Sequence, residues 1–283
     1  MKIKETYKTK EKIMNNSLTE EQVKVLNMSQ SVINEVRKVI IGKDEIIIKV
    51  LLSILAGGHI LIEDIPGVGK TTLAVALSKA LSLDYKRLQF TPDVLPTDVT
   101  GFTILNKETH KFEYKQGAAL TNLFLADEIN RTSSKTQSAL LEVMEEGKVT
   151  VDGITHKMPD PYIVIATQNP VGSIGTQMLP ESQMDRFIVR LTMGYPNIES
   201  EVAMLKSKQN LVPVDNVRPV VSAEDILQAR KVVENIYVSD QVFQYIVMLA
   251  NATRNNEYIK LGLSPRGTIA LLRMTKATAL LKG

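Results

Sequence analysis

The first feature of the sequence that could support chemistry is a turn rich in glycine. Pro66-Gly67-Val68-Gly69-Lys70-Thr71 follows a short apolar run and opens a helical pattern. In such a turn, backbone N–H groups and the helix N-terminus can bind phosphate oxygens. The lysine would reach the β- and γ-phosphates, and the threonine hydroxyl would bind Mg²⁺. We therefore predict a nucleotide site formed by Asp64, Ile65, Pro66, Gly67, Val68, Gly69, Lys70, Thr71 and Thr72.

One position departs from this phosphate-binding pattern. The full motif, G-x-x-x-x-G-K-[ST], requires a glycine where the chain carries Asp64. On this motif alone, a connecting turn rich in glycine and proline, without a ligand, is the alternative interpretation.

Two adjacent acids form the second chemical element. Asp127 and Glu128 end the apolar run Leu123-Phe124-Leu125-Ala126, and ligands of α/β proteins bind at the carboxyl ends of such strands. Asp127 would belong to the Mg²⁺ shell with Thr71, and Glu128 would polarise the attacking water as a general base. A solvated strand end is the alternative for this run by itself. The two motifs together predict ATP and Mg²⁺ as cofactors.

A parallel sheet with flanking helices is needed to position these motifs. Several apolar runs are continuous, which is typical of strands buried on both faces. Alternating residues around Asp152-Gly153 predict a β-hairpin over 148–157. The predicted strands are 59–64, 86–90, 123–127, 162–167 and 188–192, and the predicted helices among them are 71–83 and 132–146.

The two ends of the chain differ from this α/β part. Residues 1–18 form a basic tail that we predict to be disordered, and Ser17-Leu18-Thr19-Glu20 is a capping-box pattern that would open the first helix. A second helix is predicted from Asp44 to Gly57-Gly58. After an α/β core over 19–196, strand patterns stop, and we predict an all-helical domain over 197–283. Its helices are predicted at 199–208, 223–235, 240–253 and 265–281.

Composition excludes several classes of protein. The chain has 283 residues, no cysteine, three histidines far apart in sequence, and a formal net charge of +3. Disulfides and thiolate metal sites are therefore excluded, and a histidine metal site is disfavoured. The longest apolar stretch is too short to span a bilayer, and the charged N-terminus has no apolar core of a signal peptide. These features predict a cytoplasmic protein with no membrane insertion.

Seven long motifs are distributed over nearly the whole chain. They are EDIPGVGKT (63–71), RLQFTPDVLPTDVTG (87–101), LADEINR (125–131), TQSALLEVMEEGKVTVDG (136–153), ATQNP (166–170), LPESQMDRF (179–187) and LSPRGTIALLR (263–273). Through these motifs the chain resembles the MoxR-type AAA+ ATPases. The resemblance implies an αβα ATPase core followed by a helical lid, with nucleotide bound between them and a hexameric ring as the active form. It also accounts for Asp64, because a Glu-Asp pair before the P-loop is similar to a familiar variant of this family.

This resemblance implies roles for four further residues. Asn169 matches the sensor that orients the lytic water, and Arg186 matches the arginine finger inserted by a neighbouring subunit. Arg266 matches a second sensor, which would contact nucleotide within its own chain, and Arg131 would face the subunit interface. Without the resemblance, Asn169 is a turn residue before Pro170, and the arginines are ordinary surface residues.

Two segments outside the catalytic motifs also fit the family. Residues 100–119 match its helix-2 insertion and 148–157 its hairpin before the first sensor, and both would project from one face and move with nucleotide state. Ordinary surface hairpins are the alternative. The family's lid normally extends beyond the last helical segment, so we expect that a C-terminal piece is missing.

MoxR-type ATPases imply a chaperone-like function, in which other protein complexes are remodelled during maturation or during metal or cofactor insertion. The expected partners are further copies of the chain, a protein with a von Willebrand factor A domain, and a client complex. Three alternatives remain: a DNA-dependent AAA+ motor, a magnesium-chelatase-like motor subunit, and a scaffold that binds ATP but barely hydrolyses it. The small net charge and the lack of basic and aromatic clusters argue against nucleic acid.

Overall fold

A parallel five-stranded sheet forms the centre of the core. The computed structural model describes residues 18–169, 178–207 and 214–283. In the central sheet the strands lie in the order β2-β5-β8-β1-β9, and every neighbouring pair is parallel. The strands of the described ranges are β1 (Ile60–Glu63), β2 (Tyr85–Gln89), β3 (Gly101–Leu105), β4 (Phe112–Gln116), β5 (Leu123–Asp127), β6 (Lys148–Val151), β7 (Ile154–Lys157), β8 (Ile163–Gln168) and β9 (Val189–Leu191).

Helices cover both faces of this sheet. On β5, Leu123 and Leu125 join one apolar cluster with the first three helices, while Phe124 and Ala126 join a second cluster with α5. Because successive side chains of a strand point to opposite faces, a strand between two helical layers must be apolar at every position. The helices are α1 (Glu20–Arg37), α2 (Asp44–Leu55), α3 (Lys70–Ala80), α4 (Pro96–Thr100), α5 (Ser134–Glu146), α6 (Glu181–Met184), α7 (Ile198–Ser207), α8 (Ala223–Glu234), α9 (Asp240–Arg254) and α10 (Pro265–Lys282).

The predicted fold class is confirmed: an αβα core with a parallel sheet, followed by a smaller helical lid. The five predicted core strands are present, and each bound lies within one residue of its predicted position. The hairpin over 148–157 is also present, with Asp152 at φ 50° and Gly153 at φ 78°. Both angles lie in the left-handed region that a two-residue hairpin turn requires.

The capping box of the first helix lies two residues later than predicted. Thr19 is the N-cap, because its hydroxyl accepts a hydrogen bond from the Gln22 backbone N–H at 3.2 Å, and Gln22 Oε1 accepts one from the Thr19 N–H at 2.9 Å. Thr-x-x-Gln satisfies the same pattern as the predicted box. Ser17, the N-cap of that prediction, lies outside the described residues.

The segment predicted as an insertion forms a second antiparallel hairpin, β3–β4, directly after the short helix α4. It contacts the β6–β7 hairpin through Tyr114 and His156, whose rings stack with centroids 3.8 Å apart and planes 14° apart. The two hairpins therefore lie side by side, and their movement with nucleotide state stays a prediction.

Two arginines attach the lid helices to the end of α2. Arg230 Nε on α8 donates to the Ile54 carbonyl oxygen at 2.9 Å, and Arg273 Nη2 on α10 donates to that of Gly57 at 2.8 Å. Cations at a helix C-terminus satisfy carbonyls that have no partner within the helix. Burial lowers the pKa of Arg230 to about 10.

Within the described ranges, no helix combines the length and apolar character needed to cross a membrane.

His59 joins the start of β1 to the opposite helical layer. Its Nδ1 accepts a hydrogen bond from the Val164 N–H at 3.1 Å, so its Nε2 carries the proton and donates to the Met144 carbonyl at 3.0 Å. Burial lowers the pKa of His59 to about 4 from 6.5. The buried ring is therefore neutral near pH 7 and has a structural role.

We expect the His59 ring to make the protein less stable in mild acid. Between pH 6.5 and 4 the unfolded chain binds a proton that the folded chain excludes, so the free energy of unfolding should fall by about 3 kcal/mol as pH drops through this window. Urea unfolding at a series of pH values should show a shallower fall for His59→Gln than for wild type. The exposed His110→Gln is the control, and an unchanged slope in His59→Gln would contradict the assignment.

Candidate nucleotide site

The predicted phosphate-binding turn lies between β1 and α3. Gly67 and Gly69 have φ angles of 85° and 96°, which glycine adopts readily, and Gly69 is the N-cap residue of α3. Thr71 and Thr72 lie in the first turn of that helix, both partly buried. The backbone N–H groups at the start of α3 are therefore available at one end of the helix, as phosphate binding requires.

Lys70 is the first residue of α3 and is buried, with 7% of its surface exposed. Its Nζ donates to the Asp64 carbonyl oxygen at 2.8 Å. Burial lowers the pKa of Lys70, while the nearby carboxylates of Asp127, Asp64 and Glu128 act in the opposite direction. The lysine thus lies close to both acidic residues of the second motif.

The aspartate in place of the motif's first glycine connects the turn to the segment after β9. Asp64 Oδ2 accepts from the Gly194 N–H at 2.6 Å, and Oδ1 accepts from the Ile65 N–H at 2.8 Å. Lys43 Nζ donates to the carbonyls of Met193 at 2.6 Å and Gly194 at 3.0 Å. Sequence reasoning missed both connections, although the unusual aspartate was the visible signal for the first.

Asp127 ends β5, and both of its carboxylate oxygens have partners. Thr167 Oγ1 donates to Oδ1 at 2.6 Å, and Arg87 Nη2 contacts Oδ2 at 2.7 Å. The Thr167 hydroxyl also accepts from the Glu128 N–H at 2.9 Å. Neither Thr167 nor Arg87 was predicted, because neither belongs to a motif that is adjacent in sequence to the acids.

Glu128 has the left-handed backbone angles φ 57° and ψ 48°, which are uncommon outside glycine and are often found at functional sites. Its Oε1 accepts from Asn169 Nδ2 at 3.0 Å, and its Oε2 pairs with Arg131 Nη1 at 2.7 Å. Among the described residues, Asn169 Oδ1 is buried without a hydrogen-bond partner. The structure therefore brings Glu128 and Asn169 together and adds Arg131 to them.

Arg186 and Arg266 lie together at Glu145, near the C-terminal end of α5. Both guanidinium groups form ion pairs with this one carboxylate, and Arg186 Nη1 also donates to the Leu141 carbonyl at 2.9 Å. The hydroxyl of Ser264, the N-cap of α10, donates to the Asp185 carboxylate at 2.8 Å. Lid and core are joined here, beside both arginines.

This cluster lies at the amino ends of the parallel strands, and the phosphate-binding turn lies at their carboxyl ends. The Ile188 N–H, two residues after Arg186, donates to the His59 carbonyl at 2.8 Å, just before β1 begins. The turn instead follows the carboxyl end of β1. The expected contact of Arg266 with nucleotide in its own chain does not fit this placement. Within the described ranges, Arg266 hydrogen-bonds to no residue of the turn.

The oxygen donors at the carboxyl edge fit a magnesium ion bound together with nucleotide. Within the described part of the chain, no three His, Cys, Asp or Glu side chains cluster as a metal site. The available donors are the Asp127 carboxylate and the Thr71 hydroxyl. Mg²⁺ in proteins usually has only one or two carboxylate ligands and takes the rest from phosphates and water.

Comparison with known proteins agrees with this geometry. Residues 59–189 match the model of the ATPase family associated with various cellular activities (AAA), and residues 251–283 match an AAA lid domain. The chain is 49% identical to the uncharacterized protein YeaC of Bacillus subtilis, over 88% of this chain and 78% of YeaC. It is 35% identical to the chaperone MoxR1 of Mycobacterium tuberculosis, over 88% of this chain and 68% of MoxR1.

A solved structure gives the same result for the fold. A proposed ATPase from Cytophaga hutchinsonii superimposes with a TM-score of 0.85 at 39% identity, over 93% of this chain and 82% of that one. These relatives extend over both the core and the lid. The chain therefore belongs to the MoxR family of AAA+ ATPases.

Proposed function

We propose that this protein hydrolyses ATP in a Mg²⁺-dependent reaction and that it does so as a subunit of a hexameric ring. The observation that carries the proposal is the grouping of Asp127, Glu128 and Asn169 beside Lys70. Asp127 ends β5 and Glu128 follows it, Asn169 follows β8, and the phosphate-binding turn follows β1. These three strands are neighbours in the sheet. Ligands of α/β sheets bind at this edge.

Each side chain has a definable role in such a reaction. The N–H groups at the start of α3 and Lys70 would bind the phosphates, and Thr71 and Asp127 would hold Mg²⁺, which neutralises charge on the phosphate oxygens. Glu128 would accept a proton from the attacking water. Asn169, whose Nδ2 donates to Glu128 Oε1 at 3.0 Å, would orient this carboxylate and, through it, the attacking water.

We propose a ring because two arginines could complete a nucleotide site but lie far from the phosphate-binding turn of their own chain. They lie at the amino ends of the strands, whereas the turn lies at the carboxyl ends. Arg186 and Arg266 share Glu145, and their side chains are 30% and 46% exposed. A neighbouring subunit that presented its phosphate-binding turn to this surface would receive both guanidinium groups. Planar cations of this kind stabilise charge on a transferring phosphoryl group.

As its biological role, we propose chaperone-like remodelling of a client protein complex, with a von Willebrand factor A domain protein as partner. The name of the relative MoxR1, a chaperone, supports this proposal. The two adjacent hairpins offer a surface for a client, since they expose several large apolar side chains. These are Phe102, Leu105, Phe112 and Ile154.

The phosphate-binding assignment predicts that Lys70→Ala weakens ATP binding. Loss of one charge-assisted contact should lower the affinity by about 10- to 100-fold, with the fold retained. Calorimetric titration with ATP measures the effect, and circular dichroism verifies folding. Lys79→Ala, at the other end of α3 and paired with Asp215 on the surface, should bind ATP like wild type. Equal ATP affinity in Lys70→Ala and wild type would place the nucleotide elsewhere.

A further inference from the structure

Arg87 opens the family motif over 87–101, but the resemblance gives it no role, and it contacts the carboxylate proposed to hold the metal. It lies on β2, the edge strand of the sheet. Its Nη2 and Nε lie 2.7 and 3.2 Å from Asp127 Oδ2, and Nη2 also donates to Gln89 Oε1 at 2.8 Å. One planar guanidinium thus binds two neighbouring acceptors at the carboxyl edge of the sheet.

The two carboxylate oxygens of Asp127 differ in how readily their hydrogen bonds can break. Oδ1 accepts from the hydroxyl of Thr167, a residue that is fully buried on the central strand β8. Oδ2 is bound by Arg87, whose side chain is 44% exposed on the edge of the sheet. Only the second contact can open without disturbing the core. Oδ2 is therefore the oxygen that a metal, or a water bound to it, would reach.

We propose that Arg87 competes with the divalent cation for Asp127 Oδ2, so that the site binds the metal together with a nucleotide and only weakly without one. The inference rests on the proposed ATP site. A metal at Oδ2 would lie beside the guanidinium and close to Lys70, and like charges at such distances repel strongly. The phosphates of a nucleotide supply the negative charge that offsets this repulsion.

Gln89 gives Arg87 a position to occupy once Oδ2 is released. Its side-chain oxygen already accepts one of the guanidinium protons, so the arginine can keep that bond while it leaves the carboxylate. Solvent at the edge strand can satisfy the remaining donors. Arg87 is therefore a positioning residue for Asp127, and its effect should appear in metal affinity before any turnover occurs.

The test measures Mn²⁺ binding by electron paramagnetic resonance, with and without ADP, on the intact chain. Without nucleotide, Arg87→Gln should bind Mn²⁺ about tenfold more tightly than wild type, the scale of one charge-assisted contact. With ADP, the two proteins should differ less. Lys86→Gln is the matched control, since it removes the adjacent cation of β2, whose side chain points to the other face.

Arg87→Lys tests whether charge is the cause, because it keeps a cation but loses the planar fork, so its Mn²⁺ affinity should lie between those of wild type and Arg87→Gln. Equal or weaker Mn²⁺ binding by a folded Arg87→Gln would overturn the competition. Loss of Mn²⁺ binding by Arg87→Gln in the presence of ADP would also overturn the competition, because it would show that Arg87 assists metal binding. If wild type with ADP bound no Mn²⁺ at all, the proposed nucleotide site itself would fail together with this inference.

Discussion

Replacing Glu128 by glutamine should leave ATP binding close to the wild-type level and reduce turnover by about 10²- to 10⁴-fold, the usual scale for loss of a general base. Glutamine keeps the size of the side chain and an oxygen that can still accept from Asn169 Nδ2, which lies 3.0 Å from Glu128 Oε1. It cannot take a proton from water. Phosphate release under steady-state conditions measures turnover, and calorimetry measures ATP affinity.

The control for this change is Glu224→Gln, which removes a carboxylate exposed on α8 in the lid. It should match wild type in both measurements. If the folded Glu128→Gln protein hydrolysed ATP at the wild-type rate, the general base would have to be another residue. The two variants should be easy to tell apart, because loss of an exposed carboxylate changes the free energy of unfolding by less than about 1 kcal/mol and leaves the fold, and with it the nucleotide site, intact.

The fold could be predicted from the sequence wherever burial on both faces made the pattern unambiguous. β5 was predicted with its observed bounds, because its apolar run is continuous and ends at Asp127. The edge strand β2 was displaced by one residue, since a half-buried strand carries both charged and apolar side chains. The hairpin over 148–157 was located well, because Asp-Gly fixes a two-residue turn.

Without the family resemblance, the site could be predicted only where its residues are close in sequence. Lys70, Asp127 and Glu128 belong to contiguous motifs, so their spacing identified them. Arg87 and Thr167 contact Asp127 from two different neighbouring strands, 40 positions away in each direction. Such pairings depend on strand order, which local periodicity does not encode.

The position of Arg266 could not be predicted for a similar reason, because it depends on how the lid packs on the core. Its motif marks the start of a lid helix, but nothing in that motif states which edge of the sheet the helix end approaches. Packing decides this, through Ser264 on Asp185 and through the shared Glu145. The result places Arg266 beside Arg186 at Glu145, and this position is the reason for our proposal that both act on the nucleotide bound by a neighbour.

We expect ATP hydrolysis to depend on Arg186 from the neighbouring subunit. Arg186→Ala should lower turnover by roughly 10³-fold or more, the effect of removing an arginine finger. Loss of a surface ion pair costs far less, so Lys24→Ala, which breaks the exposed pair with Asp225, should retain activity. Activity per wild-type chain should also fall on dilution, because a separated subunit lacks the finger of its neighbour.

Mixing two inactive variants separates a finger supplied by a neighbour from a local structural residue. In a ring of Arg186→Ala and Glu128→Gln chains, some interfaces combine the intact nucleotide site of the first variant with the intact arginine of the second. Those interfaces should recover part of the activity that neither variant shows alone, and Arg266→Ala mixed with Glu128→Gln should behave in the same way. Native mass spectrometry establishes that mixed rings have formed. If they form and remain inactive, Arg186 acts within its own chain, and Glu145 then holds the two arginines only to join the lid to the core.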